Sequence, residues 1–183
     1  MSHSDIYVSG ILLAVVLACY YNSLACEFVF DDMSAIVSNK DLRPQTPLTN
    51  LFRNDFWGTP MNKEKSHKSY RPLCVLTFRL NYMLGGLEPT GYHLLNTLLH
   101  AAVCALFYRM SKMVLSCCTS FVAAMLFAVH PIHTEAVTGV VGRAELLSSL
   151  CYLAALMTYA RCSGRKAKTG GSHILILKLK VQQ

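Results

Sequence analysis

Two adjacent carboxylates, Asp31 and Asp32, end the run Phe-Val-Phe-Asp-Asp at residues 28–32, shortly after the first long apolar segment. Near a bilayer a carboxylate is partly desolvated, and a second one beside it raises the cost of ionising both, so one of the two can act as a general base. Such a base takes the proton from an acceptor hydroxyl. Two alternatives stay open: the pair could bind a metal ion, or Asp32 could cap a following helix while Asp31 is merely solvated.

A second polar cluster occupies residues 130–135, with the sequence His-Pro-Ile-His-Thr-Glu. His130, His133 and Glu135 are potential ligands for a divalent metal, although His-x-x-His is a weak pattern. Pro131 suits the first position of a short helix, in which case the histidines are ordinary hydrogen-bonding groups. The sequence therefore leaves the metal question open.

Arg143 and Glu145 lie beyond that cluster, at the start of a later apolar segment. A single arginine at headgroup depth is suited to bidentate contact with a lipid phosphate. The alternative is that the long side chain only snorkels to the interface. Glu145 adds a further carboxylate to the same region.

A polar stripe is predicted within the second apolar segment. His93, Asn96 and His100 are separated by three and four residues, which places them on one face of a helix. We expect this face to lie against protein rather than lipid. The three side chains could contact a substrate, but hydrogen bonding between helices is the more general use of such groups.

The composition indicates that these clusters belong to a membrane protein. Of the 183 residues, 53% are hydrophobic and 15% are charged, whereas about 25% are charged in soluble domains. The formal net charge of +7 comes from Lys and Arg residues that flank apolar segments. This placement favours contact with a membrane surface and argues against nucleic-acid binding.

The apolar segments predict an all-α membrane protein with about four transmembrane helices. Short loops rich in Lys and Arg stay in the cytosol, whereas loops longer than about 60 residues escape that rule. The basic turn after the second span and the basic tail are therefore cytosolic, and the first loop is lumenal. The predicted segments are a first transmembrane helix at 1–25, a long lumenal loop at 26–91, three further spans within 92–160 and a cytosolic tail at 161–183.

Alternation of the spans brings both polar clusters to one side of the membrane, because the 130–145 connection returns to the side of the first loop. The residues that share this compartment are Asp31, Asp32, His130, His133, Glu135, Arg143 and Glu145.

Several local features of the loop and tail are also predicted. Residues 48–56 and 73–84 suggest short helices, the second lying on the membrane surface. Cys26 and Cys74 could pair in a lumenal loop, or remain free thiols. Residues 174–181 are too short to span a membrane and could form a strand.

Six runs of the sequence carry a resemblance to a known family. They are 28–32 (Phe-Val-Phe-Asp-Asp), 54–58 (Asn-Asp-Phe-Trp-Gly), 69–73 (Ser-Tyr-Arg-Pro-Leu), 91–96 (Gly-Tyr-His-Leu-Leu-Asn), 130–137 (His-Pro-Ile-His-Thr-Glu-Ala-Val) and 142–145 (Gly-Arg-Ala-Glu). Over residues 7–161 the chain resembles the N-terminal part of the TMTC family, endoplasmic-reticulum transmembrane proteins that also carry tetratricopeptide repeats.

The resemblance implies a multi-span glycosyltransferase of the GT-C fold in the endoplasmic-reticulum membrane. Such an enzyme moves mannose from dolichyl phosphate mannose to Ser or Thr of secretory-pathway proteins, notably cadherin domains. By this analogy Asp31 or Asp32 deprotonates the acceptor hydroxyl for a single inverting displacement, and Arg143 holds the donor phosphate. The remaining cluster residues, His130, His133 and Glu135, line the donor or acceptor side. A divalent metal is compatible with the carboxylates, although related mannosyltransferases do not clearly need one.

Two other functions are weighed against mannose transfer. Family members continue through further spans and a repeat array, whereas the resemblance here ends near Ala160. The chain could therefore be a non-catalytic short form that binds a full-length relative or another membrane protein. A small channel built on the polar stripe is disfavoured, because no internal repeat or broken helix is evident. Mannose transfer that depends on Asp31 and Asp32 would separate the first hypothesis from the others.

Overall fold

The computed structural model describes residues 3–169, with side chains up to residue 163. Within this range the regular elements are helical, so the protein is an all-α membrane protein, as predicted. The stretch 174–181, for which a strand was one possibility, lies outside the described residues together with most of the basic tail. The α-helices are α1 (His3–Cys19), α2 (Pro72–Gly85), α3 (Pro89–Ser111), α4 (Cys117–Val129), α5 (Thr134–Thr138) and α6 (Arg143–Thr169).

Two segments of the described chain are long and apolar enough to cross a membrane. They are α3 and the segment Val140–Ser163, which contains most of α6. A third span results if α4 and the adjoining segment Pro131–Thr138, bent by 47°, are counted together. Helix α1 is apolar but has only 17 residues. The predicted count of about four spans therefore depends on α1 and α4 and remains a prediction.

Helix α3 lies at the centre of the bundle, packed against α1, α4 and α6. Ala124 and Ala128 on α4 are completely buried, and such small side chains allow neighbouring helices to approach closely. His93, Asn96 and His100 on α3 are also buried, which confirms that the polar stripe faces protein.

One end of the bundle is closed by an ion pair. Lys112, just after α3, contacts Asp5 of α1 through its Nζ at 2.5 Å from the carboxylate Oδ1. The loop 26–71 and the connection from α4 to α6 lie together at the opposite end. The first loop and the connection between α4 and α6, which carry the two polar clusters, therefore lie close to each other.

Helix α2 has two different faces. Pro72 occupies its first turn, where a missing backbone N–H costs nothing. Cys74, Val75 and Phe78 are buried against the folded loop, whereas a stripe of large apolar side chains is exposed, formed by Leu73, Leu80, Met83 and Leu84. The helix predicted over 73–84 is confirmed, and its position on a membrane surface remains a prediction.

The loop before α2 has a core of its own despite its irregular backbone. Ile36, Leu42 and Phe56 are fully buried with Phe78 of α2 and Tyr92 of α3. Short 3₁₀ or π-helical turns cover part of this loop, including Leu48–Phe52 in the region where a short helix was predicted.

Arg79 ties the loop to α2 through backbone groups. Its Nη1 donates to the carbonyl oxygen of Asp41 at 2.9 Å, and its Nη2 donates to those of Thr46 at 2.7 Å and Pro44 at 3.3 Å. A buried arginine that satisfies several carbonyls compensates for the backbone hydrogen bonds that an irregular loop cannot make to itself.

Asp55 organises the remainder of the loop. Its Oδ1 accepts hydrogen bonds from the amides of Trp57 at 3.0 Å and Thr59 at 2.9 Å, and its Oδ2 accepts from the Ser66 hydroxyl at 2.6 Å and the His67 amide at 3.2 Å. Burial acts to raise the pKa of the Asp55 carboxyl, but the hydrogen bonds, chiefly from Ser66, outweigh it and lower the pKa overall.

Cys26 and Cys74 are both free thiols in the structure. Cys74 is buried in the loop core, and the thiol of Cys26 donates weakly to the carbonyl of Asn22 at 3.6 Å. The alternative of a disulfide between them is not realised.

Candidate active site

Asp32 links the first loop to the segment that precedes α6. Its Oδ1 accepts a hydrogen bond from the amide of Val141 at 2.9 Å, and its Oδ2 accepts a longer one from the amide of Val29 at 3.4 Å. The side chain is only 2% exposed. Asp32 does not cap the helical turn that follows it, so the capping alternative fails and a long-range structural contact replaces it.

Asn96 holds the same segment from the other side. Its Nδ2 donates to the carbonyls of Gly139 at 3.1 Å and Val140 at 3.3 Å. Together with Asp32, this amide fixes the turn Val140–Gly142 between the loop and α3. Asn96, one residue of the predicted polar stripe, therefore positions this turn.

Arg143 is completely buried beside that turn. Its Nε donates to Asn96 Oδ1 at 2.8 Å, its Nη1 to Asn81 Oδ1 at 2.7 Å and Thr77 Oγ1 at 3.4 Å, and its Nη2 to the carbonyl of Tyr92 at 2.9 Å. The guanidinium carbon also lies 4.7 Å from the centre of the Phe78 ring.

The structure places Arg143 differently from the expected contact at headgroup depth. Every nitrogen of the guanidinium already donates to a protein acceptor, and no part of the side chain reaches the surface. Neither a bidentate phosphate contact nor snorkelling fits this arrangement, because both need an accessible guanidinium. Arg143 instead joins α2, α3 and α6.

Gly142 allows α5 and the start of α6 to approach each other closely. A Cβ at this position would lie 2.5 Å from the carbonyl oxygen of Ala136 and 2.6 Å from its Cα. Contacts this short do not occur in relaxed structures, so only glycine fits between α5 and the start of α6. The Gly-Arg-Ala-Glu run thus begins with a close approach of two backbones.

A cavity of about 630 Å³ opens above this framework. Asp31, Glu135 and Glu145 line it with exposed side chains, and Asp32 lies at its buried end. Arg71, which precedes α2, supplies its cationic side chain. Of the seven residues predicted to share one side of the membrane, the acidic pair, Glu135 and Glu145 line this concave site, which has the size typical for small ligands, whereas His130, His133 and Arg143 do not.

An apolar groove of about 580 Å³ adjoins the cavity between α2 and α6. Leu73, Leu147 and Cys151 contribute apolar walls, and Arg71 and Glu145 line the groove as well as the cavity. The guanidinium carbon of Arg71 lies 5.1 Å from the centre of the Phe56 ring, within the distance of a cation–π contact.

Comparison with known proteins shows to which family the chain belongs. It is 64% identical over 154 residues to protein O-mannosyl-transferase TMTC3 of Mus musculus, which covers 84% of this chain. It is 53% identical over 162 residues to TMTC2 of Homo sapiens and 49% identical over 162 residues to Tmtc1 of Drosophila melanogaster. The chain belongs to the TMTC family.

The chain spans less than a fifth of the length of these relatives, between 17% and 19% of each. No family model matches it, and no solved structure does. The family assignment therefore rests on the curated TMTC relatives alone.

The histidines of the second cluster lie apart from the cavity of this TMTC chain. The Nδ1 of His130 accepts a hydrogen bond from the amide of Ile132 at 3.2 Å and so caps the short turn Pro131–His133. The ring of His133 packs 4.4 Å from that of Phe127 and 5.1 Å from that of His100. These contacts match the alternative in which the histidines serve local structure.

The residues that the sequence offered as metal ligands do not come together in the structure. Among the side chains described, residues 3–163, no three His, Cys, Asp or Glu groups converge in an arrangement that could hold a metal ion. His130, His133 and Glu135 are close in sequence but do not form a ligand set.

His93 lies below the cavity rather than in its lining. It is 1% exposed, and its ring lies beside the backbone of Cys26 and Thr138. The Asp32 carboxylate is near enough to interact electrostatically with the ring. His93 thus lies near Asp32, whereas Asn96 holds the Val140–Gly142 turn.

Sequence reasoning did not single out Arg71, Thr77 or Asn81. Arg71 stood in a run that resembles the family, Ser-Tyr-Arg-Pro-Leu, and its place immediately before a proline-initiated helix was the available signal. Thr77 and Asn81 are four residues apart on α2, which puts them on one helical face, but nothing in the sequence named Arg143 as their partner.

Proposed function

We propose that this chain provides the acceptor-activating part of a protein O-mannosyl-transferase in the endoplasmic-reticulum membrane. The donor is dolichyl phosphate mannose, and the acceptor is a Ser or Thr hydroxyl of a secretory-pathway protein such as a cadherin domain. The observation that carries the proposal is that Asp31, Asp32, Glu135 and Glu145 line one cavity together with the cationic Arg71.

Asp31 is the better placed of the two aspartates to act as the base. Its side chain is exposed in the cavity, whereas both oxygens of Asp32 accept backbone hydrogen bonds. A general base must reach the proton it removes, and Asp31 is free to do so. Asp32 then acts as a positioning residue that fixes the loop carrying Asp31 against the Val140–Gly142 turn.

The proposed step is a single displacement at the sugar carbon. The acceptor oxygen attacks the anomeric carbon of mannose while its proton passes to the Asp31 carboxylate. The bond from that carbon to the phosphate oxygen breaks, and dolichyl phosphate leaves with the electron pair. One attack on the face opposite the leaving group inverts the configuration.

Arg71 takes the donor-phosphate role in this proposal. An arginine fork is suited to phosphate, and Arg71 is exposed at the junction of the polar cavity and the apolar groove. A lipid-linked sugar phosphate matches this arrangement, because it has a polar head and a long apolar chain. The head would occupy the cavity and the first isoprene units the groove along Leu73 and Leu147.

The experiment is mannose transfer to a cadherin-domain acceptor in microsomes that lack endogenous activity. The chain is compared with the variants Asp31→Asn, Asp32→Asn and Arg71→Gln, and with Glu27→Gln as a matched control. Glu27 is an exposed acid of the same loop that does not line the cavity. Loss of transfer in the three cavity variants but not in the control is expected, and unchanged transfer in Asp31→Asn would refute the assignment of the base.

A non-catalytic role remains the second candidate, and one observation favours it. Large apolar side chains stay exposed on α4 and α6, including Leu126 at 63%, Tyr152 at 66% and Tyr159 at 71%. Such faces can contact lipid or the helices of a longer relative. Co-purification of the chain with a full-length TMTC protein, without any transfer by the chain alone, is the result expected from this role.

A further inference from the structure

Phe30 has an unusual backbone conformation next to the acidic pair. Its φ is +46°, and within residues 3–169 only one other non-glycine residue, Lys68, has a positive φ. A bulky residue in this left-handed region is strained and persists only where the surroundings impose it. Here a turn imposes it, because the Asp32 amide donates to the carbonyl of Val29 at 3.0 Å and the Asp32 carboxylate accepts from the Val29 amide.

The turn divides the aromatic residues of the run between two environments. Phe28 packs edge-on against Tyr92, with 5.2 Å between the ring centres. Phe30 is 93% exposed and Val29 is 53% exposed, and both line the cavity that contains Asp31. The strained turn therefore presents two apolar side chains beside a carboxylate at the open side of the site.

We infer that Val29 and Phe30 form an apolar lip that binds the acceptor polypeptide through an apolar side chain next to the modified Ser or Thr. The inference rests on the proposed function and adds a determinant of acceptor choice. It follows from adjacency: the hydroxyl that gives its proton to Asp31 must lie beside Asp31, and Phe30 is the preceding residue. The donor phosphate is assigned to Arg71, which leaves the lip to the acceptor.

Burial of an exposed aromatic ring is the source of the expected selectivity. Aromatic side chains dominate binding at protein interfaces, and covering Phe30 with an apolar side chain removes apolar surface from water on both partners. An acceptor with Val or Ile beside the Ser or Thr should therefore bind more tightly than one with Asp or Lys there. We expect a difference of about tenfold in KM with a small change in kcat.

The first test reads binding without requiring transfer. A photo-crosslinking phenylalanine analogue replaces Phe30 in one sample and Tyr21, an aromatic that is 75% exposed outside the cavity, in the other. Each is irradiated with acceptor peptides that carry Val or Asp beside the Ser. Crosslinks to the Val peptide from position 30 alone support the lip, whereas crosslinks from position 30 to phospholipid only would assign Phe30 to the membrane interface and overturn it.

The second test separates binding from strain. Phe30→Gly relieves the backbone conformation and removes the ring, so we expect an unchanged or higher melting temperature together with a KM about tenfold higher for the Val peptide. Phe30→Trp keeps an aromatic side chain, so its KM for the Val peptide should stay close to that of the wild-type chain. An unchanged KM in Phe30→Gly would overturn the inference while leaving the proposed transfer intact. Selective crosslinking without transfer by the unmodified chain would instead support the lip and count against the proposed function.

Discussion

At one end of the bundle lie two groups of polar side chains, the satisfied cluster around Arg143 and the open cluster around Asp31. They differ in whether their hydrogen-bonding groups already have protein partners. Around Arg143, each guanidinium nitrogen donates to a protein acceptor and the side chain is fully buried. Around Asp31, the carboxylates of Glu135 and Glu145 are exposed and face a cavity. The first cluster is a satisfied interior, and the second is open to a ligand.

This difference matters because both clusters contain residues of the kind used for chemistry. A buried polar group that is fully hydrogen-bonded stabilises one arrangement of the fold, and removing a partner is costly. An exposed group in a cavity contributes little to stability and can be replaced at small cost. Asp32 belongs to both clusters, since it lies in the cavity and also holds the amide of Val141. Variants can therefore test the difference between the two clusters by the change that they cause in the free energy of unfolding.

The largest effect is expected for Arg143→Met. The substitution keeps much of the side-chain volume but leaves the oxygens of Asn96, Asn81 and Tyr92 without their donor, so we expect a loss of about 3–5 kcal/mol. Denaturant unfolding in detergent, followed by circular dichroism, measures it. Arg161→Met on the exposed side of α6 is the control, and equal stability of the two variants would contradict the division.

A smaller loss is expected for Gly142→Ala. The added Cβ would meet the backbone of Ala136, and relieving that overlap by moving α5 away from α6 costs about 1–3 kcal/mol. Gly10→Ala is the matched control, because a Cβ there meets nothing within 4 Å and Gly10 lies inside α1. The same denaturant unfolding should show the control unchanged or slightly stabilised, and an equal free energy of unfolding for both glycine variants would argue against a tight contact.

Asp55→Asn tests a satisfied carboxylate outside both clusters, in the loop. Replacing one acceptor oxygen by an amide should cost about 1–3 kcal/mol near pH 7, because buried donors lose their partner. The pKa of Asp55 is lowered in the folded protein, so its stabilising effect is present above the unfolded pKa of about 3.9 and is lost as the pH falls further.

The measurement for Asp55 is therefore unfolding at several pH values. The difference in unfolding free energy between the wild-type chain and Asp55→Asn should be largest at pH 6–7 and should become smaller below about pH 4. Glu64→Gln, an exposed acid of the same loop, is expected to show no gap at any pH. A gap that widens on acidification would mean that the carboxylate is not stabilised in its charged form.

Sequence reasoning could place the open cluster better than the satisfied one. The alternation of apolar segments, together with the basic turn near Lys112, predicts that residues 28–32 and 130–145 lie on one side of the membrane, and Asp32 does contact Val141. Helical spacing also indicated that His93, Asn96 and His100 face protein. These inferences need only the period of a helix and the order of the spans.

The satisfied cluster depended on partners that no local pattern specifies. Arg143 contacts Thr77, which is 66 positions away, and Asn81, which is 62 positions away. An arginine at the start of an apolar segment looks the same in sequence whether it faces a phosphate or the interior. The loop core is similar, because Asp41 and Asp55 lie in turns without hydrophobic periodicity and their hydrogen bonds emerge only from the folded loop.

The smallest effect on stability is expected for Asp31→Asn, and it is the most informative about function. Asp31 is exposed, so the change in unfolding free energy should stay within about 0.5 kcal/mol. Asp32→Asn should lose about 1–3 kcal/mol, because an amide in place of the carboxylate weakens the contact with Val141. Transfer should fall by roughly 10²–10⁴-fold in Asp31→Asn, since a base contributes about that much.

The two aspartate variants must be compared with both measurements on the same preparations. Full stability with lost transfer in Asp31→Asn, against reduced stability in Asp32→Asn, would separate the base from its support within two consecutive residues. Equal destabilisation of both variants would mean that the acidic pair acts as one structural unit. In that case the loss of transfer would follow from a disturbed Val140–Gly142 turn, and the base would have to be sought at Glu135 or Glu145, the other exposed carboxylates of the cavity.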